Sequence, residues 1–453
     1  MHQVNNPVKR ALWAVTGFLL LMGIQMATVN EYAFGNTKPL AIKNVRIFDG
    51  ASILTENTIL VENGVISELG QFSVMEFPPG TEIIDGTGHT VMPGLIDCHT
   101  HIYDPVYLKD PEAELRKALV FGVTTELDMM TDPAVAARIK KLKADGKGRD
   151  MADICSSGFM LTPSEGHGTE YGIKNPPPPG PGEVESWIKT RIKEGSDYIK
   201  ICLEDGRACG LNYPTIDRAT LANAIRMTHE NHLLAIVHAG SIDAALEALA
   251  DDVDGLAHLI PDREPPKNFG PVVRSHNTFV IPTLTVLESI CGMKTGLSLV
   301  QDPHIAPYLS EMDMYLLNSA MNLPGCRIRF DYAREGMRQL LAAGVPILAG
   351  TDAAKLGTTH GASLHRELEM LVDSGLTQKQ ALAAATSVPA KIFGLDDRGR
   401  IAPELRADLV MVKGDPTDDI RATRAIVRVW KDGFEKDRET YRKSLEASKR
   451  KPQ

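Results

Sequence analysis

Between residues 93 and 394, short apolar runs that read as strands alternate with amphipathic stretches that read as helices, and this constrains the fold more than any other feature. Strand candidates are 122–128, 198–201, 233–238, 255–258, 278–282 and 345–350, with helical stretches such as 242–251 and 335–343 between them. Parallel strands need a long crossover, usually a helix, so this repetition specifies a parallel sheet. Over roughly 300 residues the favoured form is a closed (β/α)8 TIM-like barrel. The doubly wound alternative would need a Gly-rich phosphate loop after its first strand to serve a nucleotide, and the sequence has none.

The flanks have a different period. Residues 41–48, 58–62 and 81–85 alternate in the manner of half-buried strands, and Gly86 marks a turn. Similar runs return at 407–412 and 425–430. The expected class is therefore α/β: a barrel over 93–394 and a small β-sandwich domain built jointly from 38–92 and 395–440. The last residues, 441–453, form a basic tail carrying Lys443, Lys449, Arg450 and Lys451, which reads as a solvated helix end.

Residues 1–36 stand apart. Lys9 and Arg10 precede an apolar run from Ala11 to about Val29, the pattern of a signal peptide, or of an N-terminal anchor if it is retained. The expectation is an exported protein, periplasmic or secreted, held at the membrane if the segment stays attached. The net charge of −9 argues against a nucleic-acid partner, which calls for a concentrated basic field. The six cysteines include no CxxC, so no thiolate zinc site is expected. Cys98 and Cys202 sit in apolar runs as small buried thiols, and Cys291 with Cys326 is a candidate disulfide pair.

The chemistry begins at Pro93-Gly94-Leu95-Ile96-Asp97-Cys98-His99-Thr100-His101, an apolar strand ending in His-x-His. Alternation along a strand points both imidazoles to one side, which makes half of a metal site. Lys200, His238, His258 and Asp352 each fall at or near the end of another predicted strand. In a closed barrel those ends meet at one rim. A protonated lysine has no lone pair to offer a metal. Burial lowers its pKa, and reaction of the free amine with carbon dioxide gives an anionic carbamate with two oxygens. The plain alternative for Lys200 is an ion pair with Glu204 or Asp205.

With Gly350-Thr351-Asp352 and the endings 381–386 and 406–410, these motifs resemble the amidohydrolase superfamily from Ala41 to about Gly433. The resemblance implies two divalent metal ions, zinc being the expected identity. His99, His101 and Asp352 would hold one, His238 and His258 the other, and an N6-carboxylysine at Lys200 would bridge them. It further implies a metal-bridging hydroxide as nucleophile, with Asp352 as general acid and base.

Gly166-His167-Gly168, Thr359-His360-Gly361 and the segment around Lys200 resemble the branch that includes prolidases and ochratoxinase, with imidazolonepropionase related. That branch implies cleavage of amide, peptide-like bonds in small substrates such as N-acyl amino acids or dipeptides. His167, Tyr171, Tyr213 and His360 become candidate substrate contacts. Arg207 and Lys355 are cations near strand ends that leave open whether a free carboxylate is gripped. The same scaffold also admits a cyclic amide, imidazolone or lactone hydrolase, and in a different class a catalytically inactive binding relative. A homo-oligomer is expected, since large barrels of this kind often assemble.

Overall fold

The first element of the computed structural model shows how local chemistry edits the expected pattern. The run 41–48 is broken into β1 (Leu40–Lys43) and β2 (Arg46–Ile47). Asn44 between them takes a left-handed backbone with φ of 55°, a conformation that Asn tolerates better than most residues. The structure describes residues 38–449 except 106–107, 177–179, 181, 260–261, 322 and 324. The expected signal or anchor at 1–36 therefore lies outside the described residues. No helix among those described is long and apolar enough to cross a membrane.

The remaining strands follow in chain order. They are β3 (Thr58–Glu62), β4 (Val65–Gly70), β5 (Glu82–Asp85), β6 (His89–Pro93), β7 (Leu95–Thr100) and β8 (Val123–Asp128). Next come β9 (Asp153–Ser156), β10 (Ile199–Leu203), β11 (Ala235–Ala239), β12 (Gly255–Ala257) and β13 (Phe279–Ile281). The last are β14 (Leu409–Lys413), β15 (Ile426–Lys431) and β16 (Phe434–Glu435).

Both chain ends meet in one five-stranded sheet, ordered β16-β15-β14-β6-β2, beside a four-stranded sheet ordered β4-β3-β1-β5. A single apolar cluster joins them: Ile42, Ile59, Val61 and Ile66 from one sheet, Ile47, Val91, Met411 and Trp430 from the other.

The middle of the chain forms two parallel sheets, β7-β8-β9 and β10-β11-β12-β13. Hydrogen bonds continue beyond their edges. Leu161 forms a parallel bridge with Ile201 and lies beside β10. Val280 N–H donates to Pro346 O at 3.0 Å, and Cys98 N–H donates to Ala349 O at 2.9 Å. The expected strand 345–350 is thus a bridging segment rather than a regular strand. Pro346 has no amide hydrogen to give a ladder. A side chain at Gly350 would meet the His99 backbone nitrogen at 2.9 Å. Strand β9 was not anticipated, because only four residues of it are regular and Asp153 and Ser156 interrupt the apolar signal.

Helices pack outside these sheets with conventional starts. Asp110 accepts a hydrogen bond from Ala113 N–H at the start of the helix Pro111–Val120. Asp132 and Ser241 do the same for Pro133–Ala144 and Ile242–Ala250. Along β10, Ile199, Ile201 and Leu203 belong to the large cluster shared with the helices, while Tyr198 belongs to a separate cluster with Ile96, Leu127, Ile236 and Phe279. All six cysteines are free. The thiol nearest Cys326 is Cys209, at 3.5 Å, not Cys291, whose Sγ faces Ile328 O at 3.6 Å.

One buried ionic network ties the parallel sheets to the C-terminal segment. The Asp153 carboxylate on β9 meets Arg398 at 2.6 Å, Lys431 at 2.8 Å, Lys143 at 2.9 Å and Arg406 at 3.0 Å. Lys431 also meets Asp408 at 2.6 Å. Burial alone would raise the Asp153 pKa, but the surrounding cations hold it well below the usual carboxylate range. Removing one partner of a buried pair leaves uncompensated charge, so Asp153→Asn should lower stability by about 3–5 kcal/mol in urea unfolding. Because the folded pKa is depressed, this stabilisation is present above about pH 4 and lost as pH falls toward the folded value. The acid-side slope of stability should therefore be shallower in the variant than in the wild type.

Candidate functional site

His99, His101 and Asp352 offer three ligand atoms that lie within 4.8 Å of one another. The convergence does not come from simple alternation alone. The register of β7 against β8 shifts between Asp97 and Thr100, around His99, and such irregularities re-aim side chains. His101 lies just beyond β7, and its N–H donates to Ala353 O at 2.7 Å. Asp352 N–H donates to His99 O at 2.8 Å, so the two chain segments hold each other directly. Beneath them Asp97 accepts from Thr351 Oγ1 at 2.7 Å and from Thr351 N–H at 3.1 Å.

His238 and His258 approach from the next strands. The His258 ring centroid lies 4.5 Å from that of His99 and 4.7 Å from that of His238. His258 Nδ1 is 2.8 Å from Thr283 Oγ1, which leaves Nε2 for a ligand. His238 Nε2 faces Glu204 Oε2 at 3.4 Å, which leaves Nδ1.

Lys200 is the second residue of β10 rather than its last. It pairs in register with Ile236, and His238 pairs with Cys202. Its ammonium therefore rises from one step deeper than the His238 imidazole. The ion pair with Glu204 or Asp205 does not form, and Nζ has no hydrogen-bond partner among the described residues. Burial brings its pKa down to about 7. Near neutral pH a large fraction of this amine is uncharged and nucleophilic.

Burial also lowers the pKa of all four histidines, and for His99, His238 and His258 neighbouring basic groups push it further, well below the imidazole range. Burial would raise Asp352, but the hydrogen bond from His101 and the fields of His99 and His258 bring it far down. The result is a nest of neutral imidazoles around one carboxylate, the donor set a divalent cation of zinc type prefers. His99 Nδ1 and His101 Nδ1 are likewise buried without hydrogen-bond partners among the described residues. Orphaned buried nitrogens are costly unless something else satisfies them. These residues fit a metal centre.

A cavity of about 240 Å³ opens on the cluster. Its lining contains His238, His258 and Asp352, and also His167, Tyr171 and Tyr213 as expected. His167 reaches Glu170 at 2.9 Å, and its ring lies 4.7 Å from that of His238. Val286, Leu287, Ile290, Met321, Leu323 and Ile328 make the far wall apolar.

His360 is a correction. It does not line the cavity but is fully buried, with Nδ1 3.0 Å from both oxygens of Glu126. That pairing outweighs burial and raises the His360 pKa to about 9, while Nε2 has no hydrogen-bond partner among the described residues. Arg207 is also absent from the lining and is mostly exposed, whereas Lys355 is part of it. A larger groove of about 1090 Å³ lies elsewhere and contains none of the candidate ligands.

Sequence reasoning missed Thr283, Glu170 and the apolar wall, and it treated Glu204 only as a partner for Lys200. Asp97 was visible inside the His-x-His segment, but its partner Thr351 is 254 positions away.

The model of the amidohydrolase family matches residues 90–435, well over half of the chain. The imidazolonepropionase of Deinococcus radiodurans is 25% identical over 386 residues, covering 82% of this chain and 89% of that protein. The dihydroorotase of Pelobacter propionicus is 33% identical over 133 residues, but the match spans only 28% of this chain and 31% of the relative. Among solved structures, a Xaa-Pro dipeptidase with methionine bound in its active site aligns at a TM-score of 0.70 and 22% identity, covering 88% of this chain and 99% of its own. The ochratoxinase of A. niger aligns at 0.66 and 19% identity, covering 88% and 95%.

The Thr283 hydroxyl orients the His258 ring, so Thr283→Val should keep the local shape and lose the hydrogen bond. We expect metal affinity to fall about tenfold or more, read by competition against a chromogenic chelator. Unchanged affinity would show that the ring is held by other means.

Proposed function

The chain belongs to the amidohydrolase family, and from that premise we propose that it is a binuclear metal-dependent hydrolase of amide bonds in small, peptide-like substrates such as N-acyl amino acids or dipeptides. The observation that supports this reading most directly is Lys200: a buried amine with no hydrogen-bond partner among the described residues, in the electrostatic field of four histidines and Asp352. We read the two parallel sheets and their bridging segments as one (β/α)8 barrel, and the two mixed sheets as a β-sandwich beside it. On this reading the candidate ligands share the rim of the barrel.

In the proposed centre His99, His101 and Asp352 would hold one ion, His238 and His258 would hold the other, and Lys200, if carboxylated on Nζ, would serve both. Two such ions, when bound, supply Lewis-acid polarisation of a carbonyl and make water nucleophilic at neutral pH. Asp352 takes the proton from the attacking water on its carboxylate and returns it to the leaving nitrogen. The fields of the surrounding histidines keep it ionised. His167, beside His238 and held by Glu170, would donate to the substrate carbonyl. Tyr171 and Tyr213 close the polar side of the cavity, and the apolar wall receives a hydrophobic side chain and excludes water.

A second reading, hydrolysis of a cyclic amide, is favoured by the match to an imidazolonepropionase over most of the chain. Metal analysis combined with a substrate panel separates the readings: N-acyl amino acids and dipeptides against cyclic amides and lactones. We expect about two tightly bound divalent ions per chain, loss of activity on chelation, and turnover confined to the linear amides. Fewer than one ion per chain, with activity indifferent to chelators, would sink the metal-centred reading. Lys200→Ala should lose both metal and activity and recover part of each with added formate or acetate, whose oxygens replace those of the carbamate. Simple misfolding without rescue would speak against the carbamate.

A further inference from the structure

Apart from the candidate ligands and His167, three charged side chains line the cavity: Glu170, Glu204 and Lys355. Two of them are already engaged. Glu170 is paired with His167 at 2.9 Å and accepts from Gly168 N–H at 2.6 Å. Glu204 accepts from Gly206 N–H and faces His238 at 3.4 Å. Lys355 differs: no direct ion pair of it is seen among the described residues, although Asp352 and Asp104 act on it through space and Tyr171 contacts it. Its Nζ rests instead on the face of Tyr171, 3.3 Å from the ring centroid. Tyr171 in turn stacks on His101, with ring centroids 6.5 Å apart. The stem of Lys355 is thus fixed by an aromatic platform next to the cluster.

An ammonium over an aromatic face keeps its positive charge and still has donors to spend, since the ring satisfies at most part of its hydrogen-bonding capacity. A lysine in this state, in a cavity whose carboxylates are occupied, attracts an anionic group. The lining also includes Val286, Leu287 and Ile290, which suit an apolar side chain.

We propose that Lys355 is the specificity-determining residue of the cavity and that it receives the free carboxylate of the substrate at the His101 side. The inference rests on the reading of the site as an amide hydrolase and narrows its substrates. They are linear amides with a carboxylate close to the scissile bond and a hydrophobic side chain, rather than neutral amides. Tyr171 acts as a positioning residue through Lys355.

The test uses the metal-loaded protein and two probes: N-acetyl-L-phenylalanine and its uncharged amide, N-acetyl-L-phenylalaninamide. Calorimetric affinities and kcat/KM are measured for wild type, Lys355→Met and Lys355→Arg. A charge-assisted contact supports a preference of about tenfold or more for the acid in the wild type. That preference should collapse to about twofold in K355M and return largely in K355R. Direct attraction of the carboxylate to metal is common to all three proteins, so the change in ratio isolates Lys355.

A wild type without preference for the acid, or a ratio unchanged in K355M, overturns the proposal. A protein that binds the acid selectively through Lys355 but cleaves neither probe nor the wider panel keeps the assignment of Lys355 and sinks the hydrolytic reading. Equal kcat/KM on both probes, unaltered by K355M, does the reverse.

Discussion

The architecture of this site depends on one electrostatic constraint: several basic side chains are packed around the Asp352 carboxylate at a place where burial disfavours charge. Burial lowers the pKa of His99, His238 and His258; Lys200 lowers all three further, His258 acts on His99, His238 on His258 and His167 on His238, while Asp352 opposes the shift. None of these groups can be charged cheaply in such surroundings. His99 Nδ1, His101 Nδ1 and Lys200 Nζ are buried without hydrogen-bond partners among the described residues, a deficit that a bound metal would cancel. Among the other buried histidines, His360 likewise keeps Nε2 without a hydrogen-bond partner among the described residues, whereas His365 does not. His365 is equally buried, yet both its ring nitrogens are satisfied, by Thr423 and by the Phe121 carbonyl.

Much of this was legible in the sequence, and the reason is periodicity. Parallel strands buried on both faces read as continuous apolar runs, so a His, Lys or Asp at the end of one stands out. That is why His238 and His258 are picked out at strand ends, whereas Lys200 lies inside β10 and Asp352 follows a segment that is not a regular strand. Irregular pieces were not legible. The segment 345–350 carries Pro346 and Gly350, which remove a donor and a side chain from what otherwise reads as a strand. His360 shows the opposite failure. A His-Gly pair near Asp352 looked like pocket chemistry, but its partner Glu126 is 234 positions away and converts it into a buried ion pair. Contacts at that separation leave no periodic trace.

The cavity divides its work between two kinds of wall. One side is polar and internally paired, His167 with Glu170 and Glu204 with His238, so it presents oriented groups rather than raw charge. The other side is aliphatic and comes from the helix Leu284–Ile290 and the segment after residue 320. Small-molecule sites combine a few placed polar groups with such a surface. Glu367 fixes the helix by accepting from Leu284 N–H at 2.9 Å and Thr285 N–H at 2.8 Å. The apolar wall and the Thr283 hydroxyl that orients His258 therefore have the same anchor.

That shared anchor explains an otherwise unfavourable feature. His258, Thr283 and Asp352 all adopt left-handed backbones, with φ of 71°, 47° and 54°. For non-glycine residues, and for a β-branched threonine above all, this costs on the order of 1–3 kcal/mol each. Glycine would relieve the backbone, but the chain keeps the side chains at these positions. His258 and Asp352 are candidate ligands, and Thr283 holds His258 at 2.8 Å. The strain is offset by bonds made at the same places: Asp352 N–H to His99 O, His258 N–H to Ile281 O at 2.9 Å, and Glu367 to the two amides after Thr283. Tight turns at the ends of neighbouring strands let side chains from separate segments converge within bonding distance of a common point. The cost in backbone energy is the means by which a regular scaffold aims an irregular cluster.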